Sequence, residues 1–186
     1  MKWRFVAPAI VFVGLVAVFA LMLYRNQTGT YDPRTIPSPL IGKPVPLFRL
    51  STVEDPAKFV DNRDYAGKPY VVNVWGTWCG GCRQEHPVLL QIAKENLVPM
   101  IGVDWNDDPA QARQWLRMLG DPYVATGSDQ QGKVAIDFGV YGAPETFLID
   151  AQGVVLYKHI APMTLDVWQK EFVPRIQQAT REATQP

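Results

Sequence analysis

Cysteine and histidine are scarce in this chain: two of each among 186 residues. Two cysteines allow at most one internal disulfide, and a zinc site would need every cysteine and histidine present. Net charge is lacking too. The 18 basic residues cancel the 18 acidic ones, and no basic surplus argues for nucleic acid. No internal repeat and no low-complexity segment interrupts the chain, so one domain with an appendage accounts for the length.

What is present is concentrated. Both cysteines lie in Trp75-Gly76-Thr77-Trp78-Cys79-Gly80-Gly81-Cys82, directly after the apolar run Tyr70 to Val74. A Cys-x-x-Cys at a strand-to-helix junction is the arrangement that makes and breaks disulfides. The helix N-terminus offers unpaired N–H groups and the positive end of its dipole, and both stabilise a thiolate. Cys79 is therefore the expected nucleophile and Cys82, one turn on, the resolving thiol. A purely structural disulfide here would close a very short ring and remove little entropy from the unfolded chain. Zinc held by Cys79, Cys82, His86 and His159 suffices by count, but the histidines have no finger-like spacing. Haem attachment needs a histidine after the second cysteine, and Arg83 stands there.

The N-terminus carries an apolar run from Phe5 to Leu23, preceded by Lys2 and Arg4. As a helix it is about 28 Å long, close to a bilayer core. Val18-Phe19-Ala20 resembles a weak cleavage site, but Leu21-Met22-Leu23 continues the run past it. Residues 1–25 are read as an uncleaved signal anchor, 26–40 as a proline-rich linker and 41–186 as the folded domain. A tethered Cys-x-x-Cys has most use in an oxidising compartment, which places the domain outside the inner membrane.

Within the domain, strands are expected at Phe48 to Leu50, Pro69 to Trp75 and Val98 to Val103, with a short edge strand at Tyr123 to Ala125. A hairpin follows, Thr146 to Ile149 and Val154 to His159. Helices are expected at Cys79 to Glu95 with Pro87 as a kink, Pro109 to Leu119 capped by Asp108 and stopped by Gly120, Lys133 to Phe138, and Leu165 to Ala179 capped by Thr164. This is an α/β order with parallel strands first and an antiparallel hairpin last.

The strand Val71-Val72-Asn73-Val74-Trp75, the Trp78-Cys79-x-x-Cys82 site, Pro87 and Gly142-Ala143-Pro144 resemble the thioredoxin superfamily from roughly Ile41 to Gln178. The fold so implied is a mixed central sheet flanked by helices, with the anchor helix added. A narrower likeness lies in Cys82-Arg83-x-Glu85-His86, Gly102-Val103-Asp104-Trp105-Asn106-Asp107-Asp108 and Gly139-Val140-Tyr141-Gly142-Ala143-Pro144-Glu145-Thr146-Phe147-Leu148-Ile149-Asp150. These runs resemble the membrane-anchored thiol:disulfide interchange proteins of bacterial cytochrome c maturation, the CcmG/DsbE group. The resemblance implies a single-pass inner-membrane protein with a periplasmic domain. It implies a reductant of apocytochrome c cysteines, acting directly or through a partner thiol protein and recharged by a membrane thiol reductant. No cofactor or metal is implied. Two departures are Gly80-Gly81, where the group usually has proline first, and Trp105, where it often has tyrosine.

The resemblance also implies that Pro144 is cis and faces the cysteines. Asn73 occupies the position where typical thioredoxins keep a buried, titrating aspartate. Another base is then needed for the Cys82 proton. Glu85 shares a helix face with Cys82, and Glu145 follows Pro144; one of the two is the expected carrier. The bland alternative makes Glu85 a solvated helix charge and Glu145 a hairpin-edge residue. His86 and His159 read as packing residues, Trp75 and Trp78 as the site's apolar shield, Trp115 and Trp168 as core. A general periplasmic oxidant and a non-catalytic tethered metal- or haem-binding module are the competing functions.

Overall fold

The computed structural model describes residues 3–27 and 38–184. The chain divides into two units, 1–36 and 37–186. The first contains α1 (Trp3–Gln27), 25 residues long with Pro8 inside it. The large apolar side chains described from Ile10 to Tyr24 are all exposed. Among the described residues no helix is long and apolar enough to cross a membrane. In the expected anchor run Phe5 to Leu23, the side chains before Ala7 and that of Ala9 lie outside the described residues. Most of the expected linker, 28–37, also lies outside the described residues.

The second unit is built around β3 (Tyr70–Trp75), buried at all six positions. Its β-branched residues suit a strand covered on both faces. The sheet continues with β4 (Met100–Trp105), β5 (Ala125–Asp129), β6 (Glu145–Ile149) and β7 (Val155–His159), in the order β5-β4-β3-β6-β7. The β3–β4 and β4–β5 pairs are parallel, whereas β3–β6 and β6–β7 are antiparallel. One face packs Val71, Trp75, Met100 and Leu148 against α2 (Gly80–Glu95), α3 (Pro109–Leu119) and the closing helix. The other packs Tyr70, Val72, Val74, Ile101, Val103, Phe147 and Ile149 against α4 (Lys133–Asp137) and the segment around Val45 and Phe48.

The caps fall where the sequence puts them. Asp108 accepts the Ala110 N–H before α3, and Gly120 ends that helix. Thr164 accepts the Val167 N–H at the start of the closing helix. That helix runs as α5 (Leu165–Val167), a π-turn (Trp168–Phe172) and α6 (Val173–Thr184), past the expected end at Ala179.

Several strands differ from expectation for identifiable reasons. The first strand is β1 (Arg49–Ser51), not Phe48 to Leu50, because Phe48 N–H is bound to the Asn62 side chain. It pairs with an unexpected strand, β2 (Phe59–Asp61), in a separate two-stranded sheet. The strand expected from Val98 starts at Met100, since Pro99 accepts from Val71 but has no N–H to give a ladder. The edge strand runs Ala125–Asp129 rather than Tyr123 to Ala125. Gly127 permits it: a Cβ there would lie 2.7 Å from Leu50 Cβ and from Val60 Cγ1, so the small sheet rests directly on this strand.

Candidate functional site

β3 ends at Trp75, and the loop Gly76-Thr77-Trp78 delivers Cys79 to the start of α2. Cys79 is the N-cap, and its Sγ accepts the Cys82 N–H at 3.0 Å. The two sulfurs form a disulfide with Cα atoms 5.2 Å apart. On reduction the Cys79 sulfur becomes a thiol or thiolate, and the same N–H and the helix dipole then favour the charged form. Both cysteines are nearly buried in this disulfide form, at 4% and 3% exposure.

The loop is fastened from β4's end. Asp107 accepts both the N–H and the hydroxyl of Thr77. Trp78 donates its indole N–H to the Trp105 carbonyl at 3.1 Å and meets the Trp105 ring edge-on. Trp78 is 53% exposed, a flat apolar surface beside Cys79. Trp75 is not part of that shield. It is core, stacked on Tyr123 and packed on Trp115.

The opposite wall is Ala143-Pro144, joined by a cis peptide bond. A Cβ on Gly81 would stand 2.9 Å from Pro144 Cδ and 3.2 Å from Pro162 Cγ, so Gly81 is a close-approach position. Gly80 differs: a Cβ there meets nothing within 4 Å. It is also the first residue of α2, where proline is pre-organised. Gly80→Pro is expected to raise stability by roughly 0.4–1 kcal/mol through the unfolded chain, read as a higher midpoint in urea. A lower midpoint would show that the Gly80 backbone is not proline-compatible.

Of the two candidate carboxylates, Glu85 is buried on the Cys82 face of α2. It accepts Asn73 Nδ2–H at 3.0 Å and Met163 N–H at 2.7 Å. Burial drives its pKa up to about 7, against the pull of those two donors. Asn73 is the hub of this polar network, donating also to Thr146 Oγ1 and accepting the Tyr123 hydroxyl at 2.7 Å. Glu145 is equally buried but committed elsewhere: Lys158 Nζ lies 2.8 Å from it, and Tyr141 N–H donates to it. Glu85 is therefore not a solvated helix charge, and Glu145, the first residue of the hairpin strand β6, is buried there. Lys158, Tyr123, Asp104 and Asp107 were not singled out by sequence; for the first, alternation gives no signal, because Lys158 shares a face with buried Val155, three residues away, only through a bulge in the β6–β7 pairing.

His86 joins α2 to the end of α3. Its Nε2 lies 2.9 Å from the Gly120 carbonyl, and Nδ1 is 3.4 Å from the Trp115 indole nitrogen. A carbonyl can only accept and an indole N–H can only donate, so the ring is neutral with its proton on Nε2. Burial lowers its pKa accordingly. Both nitrogens being engaged, His86 is not free to complete a zinc site. His159 is half-buried, with its pKa lowered by burial, at the end of β7.

Residues 40–171 match the Redoxin family. Proteins called thiol:disulfide interchange protein DsbE are similar along nearly the whole chain. That of Yersinia pestis is 46% identical over 90% of this chain and 88% of its own length. That of Escherichia coli K12 is 41% identical over 96% of each. A crystal structure of a Chlorobium tepidum protein described as a DsbE has a TM-score of 0.64 and 26% identity, covering 75% of this chain and 96% of that one. The Mycobacterium tuberculosis dsbF structure has a TM-score of 0.61 at 25% identity, covering 78% and 100%.

Proposed function

Because this chain belongs to the Redoxin family and is a thiol:disulfide oxidoreductase, we propose that it works as a membrane-tethered reductant in bacterial cytochrome c maturation. Reduced Cys79 attacks a substrate disulfide as thiolate, forms a mixed disulfide and releases one substrate thiolate. Cys82 then gives up its proton and attacks Cys79, releasing the second thiolate and leaving the Cys79–Cys82 disulfide. Two electrons pass to the substrate. Glu85 takes the Cys82 proton; Glu145, held by Lys158, instead braces the turn that carries Pro144. The Pro144 wall and the exposed Trp78 face receive the substrate chain. The substrates are the haem-binding cysteines of apocytochrome c, or the thiol protein that serves them. A membrane thiol reductant restores the dithiol. The Phe5 to Leu23 run, with Lys2 and Arg4 before it, anchors the protein in the inner membrane with its domain in the periplasm.

The observation that carries this reading is a buried carboxyl, with a pKa of about 7, set on the face of Cys82. It supplies the proton acceptor that Asn73 cannot. The direction of electron flow is tested by the Cys79–Cys82 reduction potential, measured in the full chain against glutathione. A value of about −270 to −200 mV is expected of a reductant. A value near −120 mV would make the protein an oxidant. Tight metal or haem binding by the protein would favour the non-catalytic module.

A further inference from the structure

A second buried carboxyl lies outside the Cys82 proton chemistry. Asp104, in β4, has no exposure to solvent. It sits in register between Trp75 of β3 and Ser128 of β5, beneath the strand end that launches the active-site loop. Among the described residues no N–H or O–H reaches either of its oxygens. Its neighbour at hydrogen-bonding range is the carboxyl of Asp107. Two carboxylates cannot bond to each other, so one of the pair carries a proton. Asp107 accepts the Thr77 N–H, the Thr77 hydroxyl and the Asp108 N–H, which suits a carboxylate. Asp104 accepts from no donor among the described residues, which suits an acid.

We propose that Asp104 is a positioning residue: as a neutral acid it donates its proton to Asp107, which clamps Thr77 and so fixes the loop that presents Cys79. Three links run from buried acid to nucleophile: Asp104 to Asp107, Asp107 to Thr77, and Thr77 through Trp78 to Cys79. A parallel tie runs from Trp78 Nε1 to the carbonyl of Trp105, the residue after Asp104.

Ionising Asp104 would set a second negative charge against Asp107 and break the first link. The facing charges oppose that ionisation. Asp107 and Asp108 in the loop after β4, and Asp129 at the end of β5, all raise its pKa, behind burial as the main cause, to about 8. The Tyr123 phenol before β5 faces the same region, and its own ionisation is suppressed by burial first and then by Glu85, Asp121 and Asp104. Trp75 contributes an indole N–H from β3 and no charge.

The proposal rests on the Cys79 thiol chemistry above and not on the direction of electron flow. Its test uses the full chain. In the oxidised, isotope-labelled protein, where neither cysteine titrates, the Thr77 amide signal should shift with a midpoint near pH 8. In Asp104→Asn, which keeps a donor toward Asp107 but cannot ionise, the signal should stay flat. In the reduced protein, the rate of attack on an aromatic disulfide probe, taken as the ratio of wild type to Asp104→Asn, should fall roughly tenfold across that midpoint, the size of one charge-assisted hydrogen bond. Asp104→Leu, which removes the donor, should react roughly tenfold more slowly than Asp104→Asn at neutral pH. A flat ratio, a Thr77 amide that does not titrate in wild type, or an Asp104→Leu protein as reactive as wild type would overturn it. None of these outcomes bears on the reduction potential, which tests the proposed direction separately.

Discussion

Glu85→Gln is expected to slow resolution of the mixed disulfide by roughly a hundredfold near neutral pH, the usual worth of a positioned proton acceptor. The loss should be largest around pH 7, where Glu85 changes charge, and should shrink in alkali as Cys82 ionises unaided. Stopped-flow resolution of a preformed mixed disulfide across pH checks this; an unchanged profile would remove Glu85 from the proton path. Stability provides a second readout. The folded pKa of Glu85 is raised from 4.5 to about 7, so between those values the unfolded chain releases a proton that the folded one retains. Its contribution is therefore fully present below pH 4.5 and is lost as pH rises to about 7, a loss of roughly 3 kcal/mol. In Glu85→Gln that slope should vanish from urea titrations of the oxidised protein. The absolute stability of the variant carries an offset, because its amide must turn an N–H toward either Asn73 or Met163, both donors.

Lys158→Met should cost roughly 3–5 kcal/mol, because it leaves the Glu145 carboxylate buried without its countercharge. The ammonium has little else to lean on in water. Its side chain is 3% exposed, it donates to the Gly139 carbonyl at 2.9 Å, and it lies over the rings of Tyr141 and Phe147. Those contacts join β7 to the turn that carries Pro144, so the loss should loosen that wall first. The double variant Lys158→Met with Glu145→Gln should recover most of the loss, since no bare charge remains. Urea unfolding of the two single variants and the double variant closes the cycle. Purely additive losses would mean that the two side chains do not act as a pair.

The parts of the site fixed by local chemistry were legible in the sequence. Cys79 at a helix start, Asp108 and Thr164 as caps, Gly120 as a stop and the hairpin turn at Asp150 to Gly153 each depend on neighbours within a few residues. The family resemblance supplied the facing position of Pro144. What escaped depends on distant partners. β5 is made of Ala125-Thr126-Gly127-Ser128-Asp129, which shows no apolar alternation, and it is a strand because Leu50 and Val60 cover it. β2 is too short to declare itself and exists by pairing with β1. Lys158 reads as a surface residue until Glu145 is seen across the strand pair, and Asp104 reads as part of a hydrophilic turn until β4 is found to continue through it. The fate of Glu85 was open for the same reason: helix spacing fixes its face, but only the Met163 and Asn73 contacts show that this face is dry.

The adjacent pair Glu85 and His86 has a consequence for the field at the sulfurs. Burial pushes the two groups in opposite senses, Glu85 up to about 7 and His86 below its usual value. His86 therefore favours the folded state above pH 6.5, with that support lost as the solution acidifies, while Glu85 favours it on the acid side. In mildly acidic solution both side chains are uncharged. Neither side chain then adds a charge beside the permanent dipole of the helix, whose positive end lies at the Cys79 sulfur. Mild acidification would leave this pair uncharged, whereas alkaline drift would switch on a negative charge at Glu85, on the Cys82 face of α2.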